Sequence, residues 1–174
     1  MENTKKTLLF DSATIAAKVK KLGSEIASKH PSGSVLFISI LKGSFVFLAD
    51  LIRAVNLPCE IDFARISSYG SGTQSGGKLD IKMDVGVPLE GRNVILVDDI
   101  VDSGLTLAAY REVLASRSPR SLEIAVLLDK PSRRETSVPI DYCGFQIEDR
   151  FVVGYGLDWD ERFRYLDGIY IIEE

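Results

Sequence analysis

Histidine is almost absent from this chain: His30 is the only one in 174 residues. That excludes histidine-based catalytic triads and zinc sites built on several imidazoles. His30 follows Lys29 and precedes Pro31 where a helix should end, so a capping or solvated role is expected of it. Cysteine is scarce too. Cys59 and Cys143 show neither metal-ligand spacing nor a disulfide framework, which suits a reducing cytosol and two structural side chains. No apolar stretch approaches the length of a membrane span, and Leu8 to Phe10, after Lys5 and Lys6, is too short a run for a secretory core. A cytoplasmic protein without a membrane partner is therefore expected. Runs of one charge sign are missing as well. The 21 Lys and Arg stand against 25 Asp and Glu, a net charge of −4, which disfavours nucleic acid as a partner. A polyanionic substrate would have to be held by local groups: a metal, helix N-termini and a few placed cations.

What is present fits one compact domain over residues 1–174, with 45% hydrophobic residues to build its core. After Asp11 and Ser12, either of which can cap a helix, Ile15, Val19, Leu22 and Ile26 fall at spacings that make one apolar stripe. Val35 to Leu41 is a short, continuously apolar, β-branched run; Lys42-Gly43-Ser44 breaks it, and Phe45 to Ala54 reads as a helix. The same order returns at Val94 to Val97, with a helix from Thr106 to Ala115 and another apolar strand from Leu122 to Leu128. Buried strands alternating with crossover helices predict an α/β fold with a largely parallel sheet flanked by helices. Ile61 to Ser67 and Lys78 to Asp84 read as two more strands. The ten residues joining them, Ser68 to Gly77, hold four glycines and predict a mobile loop. Tyr142 to Phe145, Phe151 to Tyr155 and Ile169 to Ile172 are strand-like but short, and are expected to cap the sheet.

The most informative stretch runs from Val94 to Thr106, from an apolar strand through Asp98 and Asp99 into a turn bearing Asp102, Ser103, Gly104 and Leu105. Ligands of parallel α/β sheets bind beyond the carboxyl ends of the strands. A helix N-terminus leaves backbone N–H groups unpaired, the hydroxyls of Ser103 and Thr106 add donors, and Gly104 lets the backbone come close, so this turn suits a phosphate monoester. Asp98 and Asp99, expected at the strand's end, suit a sugar diol or a hydrated Mg²⁺. Phosphate and diol together point to ribose 5-phosphate. Taken alone, an acidic pair after a strand is also what a solvated loop looks like. A phosphoacceptor receiver domain also ends its first strand in paired aspartates, but only 76 residues follow Asp98, too few for it. Gly72 to Lys78 has the spacing of a nucleotide-binding P-loop, yet Leu79 stands where Ser or Thr should hold magnesium and a strand pattern follows, so an ATPase or kinase is rejected.

Val97-Asp98-Asp99-Ile100-Val101-Asp102-Ser103-Gly104-Leu105-Thr106 resembles the phosphoribosyl-diphosphate signature of type I phosphoribosyltransferases. More narrowly, the chain resembles the hypoxanthine/guanine phosphoribosyltransferases. The likeness runs from about Val35 to Tyr170 and takes in Leu41-Lys42-Gly43, Ser68-Tyr69-Gly70, Asp129-Lys130 and the stretch from Phe151 to Asp158, in the family's order. It departs at Asp98, where most members carry Glu and this side chain is one methylene shorter. The fold implied is the type I phosphoribosyltransferase fold: a largely parallel sheet, a small hood, and a glycine-rich lid loop.

That resemblance also implies roles. Lys42, the Gly43 backbone and Arg164 would hold diphosphate, and Ser68 and Tyr69 would belong to the lid. Ser103, Gly104, Leu105 and Thr106 would hold the 5-phosphate, with Asp98 and Asp99 on the ribose and Mg²⁺. Phe151 would stack on a purine, Lys130 would donate to its 6-oxo oxygen, and the backbones of Val152 and Asp158 would read its edge. The Asp158 carboxylate would help hold a second Mg²⁺. Asp102 lies in the phosphate turn, where a carboxylate repels phosphate, so its expected partner is the base, as acceptor of the N7 proton. An ammonium donor favours a 6-oxo acceptor over the amino group of adenine. A homodimer or homotetramer is implied as well. Two readings compete: an RNA-binding regulator on the same fold, which the net charge and the intact base elements argue against, and a relative preferring xanthine.

Overall fold

The computed structural model describes residues 5–68 and 79–173. The order of elements is β1 (Lys6–Phe10), α1 (Ser12–Lys29), β2 (Val35–Ile40), α2 (Phe45–Val55), β3 (Cys59–Ser68) and β4 (Leu79–Met83). Next come β5 (Asn93–Val101), α3 (Leu105–Ala115), β6 (Ser121–Asp129), a 3-10 turn at Pro131–Arg133, β7 (Tyr142–Gln146), β8 (Val152–Val153) and β9 (Ile169–Ile172). Asp11 caps α1, its carboxylate accepting from the Thr14 N–H at 2.7 Å, and His30 closes the other end with its N–H on the Ile26 carbonyl. Such an N-cap is worth about 1 kcal/mol.

Six strands form the main sheet in the order β4-β3-β2-β5-β6-β7. All neighbours are parallel except β3 and β4, which run antiparallel. Every residue of β2 is buried, because helices cover both faces. Val35, Phe37, Ile95 and Val97 point to the layer of α1 and α2, where Ile15, Val19, Leu22, Phe47 and Leu51 meet them. Leu36, Ile38, Val94 and Leu96 point the other way, onto Leu107, Tyr110 and Leu114 of α3. Cutting one such Leu or Phe to Ala costs about 2–5 kcal/mol through lost contacts and the cavity left behind. The second sheet is small, three-stranded and antiparallel, in the order β1-β9-β8.

Three sequence expectations change. The acidic pair does not end its strand: β5 runs on to Val101, so Asp98 and Asp99 lie within it, with Asp98 paired to Val126 of β6. β7 is no part of the hood; it extends the main sheet, parallel to β6, with the Asp141 carboxylate accepting from the Ile124 N–H at 2.9 Å to set the junction. Lys6–Phe10 takes its place as a hood strand against β9. His30 caps as expected but is buried, not solvated, and its Nε2 lies 3.2 Å from Glu123 Oε2.

Candidate active site

The C-terminal ends of β2, β5 and β6 and the segment after β8 converge at one edge of the sheet. Here Gly104 is the N-cap residue of α3 at φ 81°, a left-handed conformation that disfavours any side chain, and a Cβ would stand 2.9 Å from the Thr136 carbonyl oxygen. The turn is braced from behind, since the Ser103 carbonyl accepts from the N–H groups of Glu135 and Thr136 at 2.9 and 3.2 Å. No side chain of this turn caps α3 in the usual way; the one local contact is a long 3.4 Å approach of Leu105 N–H to Ser103 Oγ. The first-turn donors of α3 are thus left for an anion, next to the partly exposed Ser103 and Thr106.

Asp99 faces the Lys42-Gly43 turn. A Cβ on Gly43 would collide with Asp99 Oδ2, so the turn approaches the carboxylate as only glycine permits. Ser44, fully buried, fixes this turn by donating to the Ile40 carbonyl and meeting Ser39 Oγ at 2.6 Å. The Leu41–Lys42 peptide is cis. Burial, and then repulsion from its neighbour, holds the Asp98 carboxyl well above the ordinary range; burial also raises Asp99, opposed by local hydrogen bonds and the charge of Arg164.

Lys42 and Arg164 meet through a residue without a sequence signal, Glu161. Its carboxylate takes Lys42 Nζ at 2.6 Å and an Arg164 nitrogen at 3.1 Å. Arg164 also pairs with Asp158 at 2.8 Å and donates to the Gly156 carbonyl at 2.7 Å, while its Nε is buried without a partner. The loop between them is irregular, with Asp160, Glu161 and Phe163 at φ 53°, 60° and 72°. Such strained backbone persists only where surrounding contacts enforce it, and it gathers at ligand clamps.

At the end of β6, Lys130 is 7% exposed, unusual for a lysine, and its backbone N–H is held by the Val101 carbonyl at 2.9 Å. Its Nζ lies 3.9 Å from Asp102 Oδ2 and 3.5 Å from Asp149 Oδ1. Arg133 Nε reaches Asp102 Oδ1 at 3.1 Å. Phe151, by contrast, is 52% exposed, with Trp159 against it edge-on at 6.0 Å between ring centroids, and the two rings line a cleft of about 590 Å³. Val152 is buried in β8. Sequence reasoning missed Glu161, Arg133 and Asp149, which stand among other charged residues in connecting segments, with no spacing that singles them out. Of the lid, the Ser68 backbone ends β3 opposite Leu79, and Tyr69 lies outside the described residues.

Among the described residues no three His, Cys, Asp or Glu side chains gather into a metal-holding cluster. Asp98 and Asp99 offer two adjacent carboxylates, whereas Asp158 is held by Arg164 and the Glu161 N–H. Two carboxylates crowded against each other fit Mg²⁺, which binds through one or two of them and keeps waters and substrate phosphates as its other ligands.

A family model described as phosphoribosyl transferase domain matches residues 7–160. Hypoxanthine phosphoribosyltransferase of Salmonella typhimurium is 46% identical over 161 residues, spanning 91% of this chain and 90% of its own. The chain belongs to the hypoxanthine/guanine phosphoribosyltransferase family. Its relative in Bacillus subtilis, a hypoxanthine-guanine phosphoribosyltransferase, is 41% identical, covering 99% of this chain and 96% of that one. A crystal structure of the hypoxanthine-guanine phosphoribosyltransferase of Bacillus anthracis, with HEPES in its active site, superposes at a TM-score of 0.93, with 41% identity over 98% of this chain and 100% of that chain. Family membership makes the chain a transferase of purine salvage, and the type I phosphoribosyltransferase fold is the one described above.

Proposed function

We propose that the chain transfers 5-phosphoribosyl from 5-phosphoribosyl 1-diphosphate to hypoxanthine or guanine in the presence of Mg²⁺, giving IMP or GMP and diphosphate. The observation that carries this reading is the meeting of buried Lys130 with Asp102, beside the exposed Phe151 ring and the open N-terminus of α3. A cation, a carboxylate and a flat apolar face are what a 6-oxopurine needs: a donor to O6, an acceptor for N7–H and a stacking surface.

In this reading the α3 turn, with Ser103, Gly104, Leu105 and Thr106, grips the 5-phosphate, and Asp98 and Asp99 take the ribose hydroxyls and metal ligand sphere. Lys42, the Gly43 backbone and Arg164 receive the diphosphate, whose charge displaces Glu161 from its two cations. Mg²⁺, when bound, would neutralise charge on the leaving group. Phe151 stacks on the purine, and the backbones of Val152 and Asp158 meet its edge. Purine N9 forms the bond to the anomeric carbon as the bond from that carbon to the diphosphate oxygen breaks, and Asp102 accepts the N7 proton. Tyr69 and Ser68 belong to the lid that keeps water away. A cytoplasmic homodimer or homotetramer is part of the same proposal.

The test is incubation of pure protein with phosphoribosyl diphosphate and Mg²⁺ against hypoxanthine, guanine, xanthine, adenine and uracil, following nucleotide formation. IMP and GMP are expected, with turnover lost on chelation and restored by Mg²⁺. Turnover with uracil alone, RNA binding without turnover, or full activity in metal-free buffer would overturn the reading.

A further inference from the structure

Asp102 and Lys130 are two corners of a larger arrangement. Arg133 closes the 3-10 turn after β6, and Asp149 stands in the connection from β7 to β8; the two connections are drawn together as the Ile147 N–H meets the Asp129 carbonyl at 2.9 Å. Lys130 Nζ touches both carboxylates, Asp102 at 3.9 Å and Asp149 at 3.5 Å. Arg133 Nε also touches both, Asp102 at 3.1 Å and Asp149 at 3.7 Å. Two cations and two anions therefore alternate, and each charge has two opposite neighbours. Lys130 is the buried corner; the side chains of Arg133, Asp102 and Asp149 are each about half exposed, at 54%, 47% and 53%.

Resting on the proposed function, we infer that Arg133 and Asp149 are positioning residues, and that base binding is a partner exchange within this ring. Without substrate, Asp102 is shared between Lys130 and Arg133, so its carboxylate is committed. When a purine presents N7–H, Asp102 turns to it, and Asp149 remains as the carboxylate for both cations. Lys130 is then neither stranded without an anion in a buried place nor pulled from O6. Asp149 thus makes Asp102 available; without it, two cations compete for Asp102 alone and hold it away from the base.

The test uses Asp149→Asn and Arg133→Gln, singly and together, beside wild type, with KM for hypoxanthine and for phosphoribosyl diphosphate, single-turnover rates and melting temperatures. In Asp149→Asn the hypoxanthine KM is expected to rise about tenfold and the chemical step to slow several-fold, with the phosphoribosyl diphosphate KM unchanged. Asp149→Glu, which keeps the charge, should restore wild-type behaviour. Adding Arg133→Gln to Asp149→Asn should recover most of the loss, because one of the two competing cations is gone. A merely structural Asp149 would lower the melting temperature and show neither the split between the two KM values nor the recovery. An unchanged hypoxanthine KM, or losses that add in the double variant, overturn the inference alone, provided wild type makes IMP. A wild type that makes no nucleotide overturns the proposed function and this inference with it.

Discussion

The main sheet carries a carboxylate cluster at each end of its parallel strands, and the two are built in opposite ways. At the amino end, Glu123 is 6% exposed near the start of β6, and it is fully satisfied: Tyr142 donates to it at 2.5 Å, His30 lies at 3.2 Å and Lys29 Nζ at 3.2 Å. Burial acts to raise its carboxyl, but those contacts together outweigh burial and hold it below the ordinary range. At the carboxyl end, Asp98 and Asp99 stand side by side, and among the described residues neither forms an ion pair; both carboxyls are raised, by burial first. Same residue class, same sheet, opposite shifts. A balanced charge cluster stabilises the fold by itself, while an unbalanced one is completed by what binds to it, which is why perturbed carboxyls at a strand's carboxyl edge mark a site.

The comparison breaks most visibly at the carboxyl end, at Asp102, whose charge is paired with Lys130 and Arg133 until a base arrives. Asp102→Asn keeps the shape and hydrogen-bonding capacity of the turn but removes the carboxylate that receives the N7 proton. The chemical step is expected to slow by roughly 10²–10⁴-fold, with substrate affinity retained and the melting temperature nearly unchanged. Single-turnover rates are the measurement to use, since slow product release hides a slower chemical step at steady state. A near wild-type single-turnover rate would leave Asp102 with no more than its ion pairs to Lys130 and Arg133.

On the balanced side the outcome inverts: stability moves and chemistry does not. Glu123→Gln takes one charge from a buried network and should cost about 1–3 kcal/mol, or roughly 3–10 °C in melting temperature for a chain of this size, at unchanged turnover. The pH dependence follows from the lowered carboxyl. A carboxyl depressed in the folded state stabilises above its unfolded value, about 4.3, and that stabilisation is lost as pH falls through the lower folded value. The gap between wild type and Glu123→Gln should therefore be full at pH 7 and close below about pH 4. A gap that stays constant with pH would mean that packing, not charge, holds this end.

How far the sequence shows these two ends depends on whether the partners are neighbours in the chain. The carboxyl end is largely legible: Asp98, Asp99, Asp102, Ser103, Gly104 and Thr106 fall within one short stretch, and the strand-turn-helix pattern around them is set by short-range periodicity. The amino end is not. His30 looks like a polar helix terminus, and only its approach to Glu123, 93 residues away, buries it. Glu161 stays hidden for the same reason, because its partner Lys42 is 119 residues distant. β1 escapes notice since its burial alternates irregularly and its pairing is supplied by β9 at the far end of the chain. β7 reads as hood because its five residues carry no mark of their partner; the Asp141 contact to Ile124 sets that, and it is tertiary.

Asp98→Asn is the smallest change and the one with the reversed sign. The substitution keeps the Oδ1 that accepts from the Asp99 N–H at 3.0 Å and removes one of two crowded negative charges. Because burial raises the Asp98 carboxyl in the folded state, ionisation there works against folding. The penalty is absent at low pH, where the group is protonated folded and unfolded alike, and it grows as pH rises through the unfolded value of about 4. Asp98→Asn is thus expected to be more stable than wild type at pH 7 by about 1 kcal/mol, roughly 2–4 °C in melting temperature, and no different near pH 3. Ligand should reverse the order. With Mg²⁺ and phosphoribosyl diphosphate in excess, wild type gains stability in proportion to the logarithm of ligand over Kd, and the variant, lacking one anionic ligand, gains less. Melting curves at two pH values, each with and without both ligands, decide the matter. If Asp98→Asn melts below wild type at pH 7 without ligand, the acidic pair is stabilising by itself and the two ends of the sheet are alike after all.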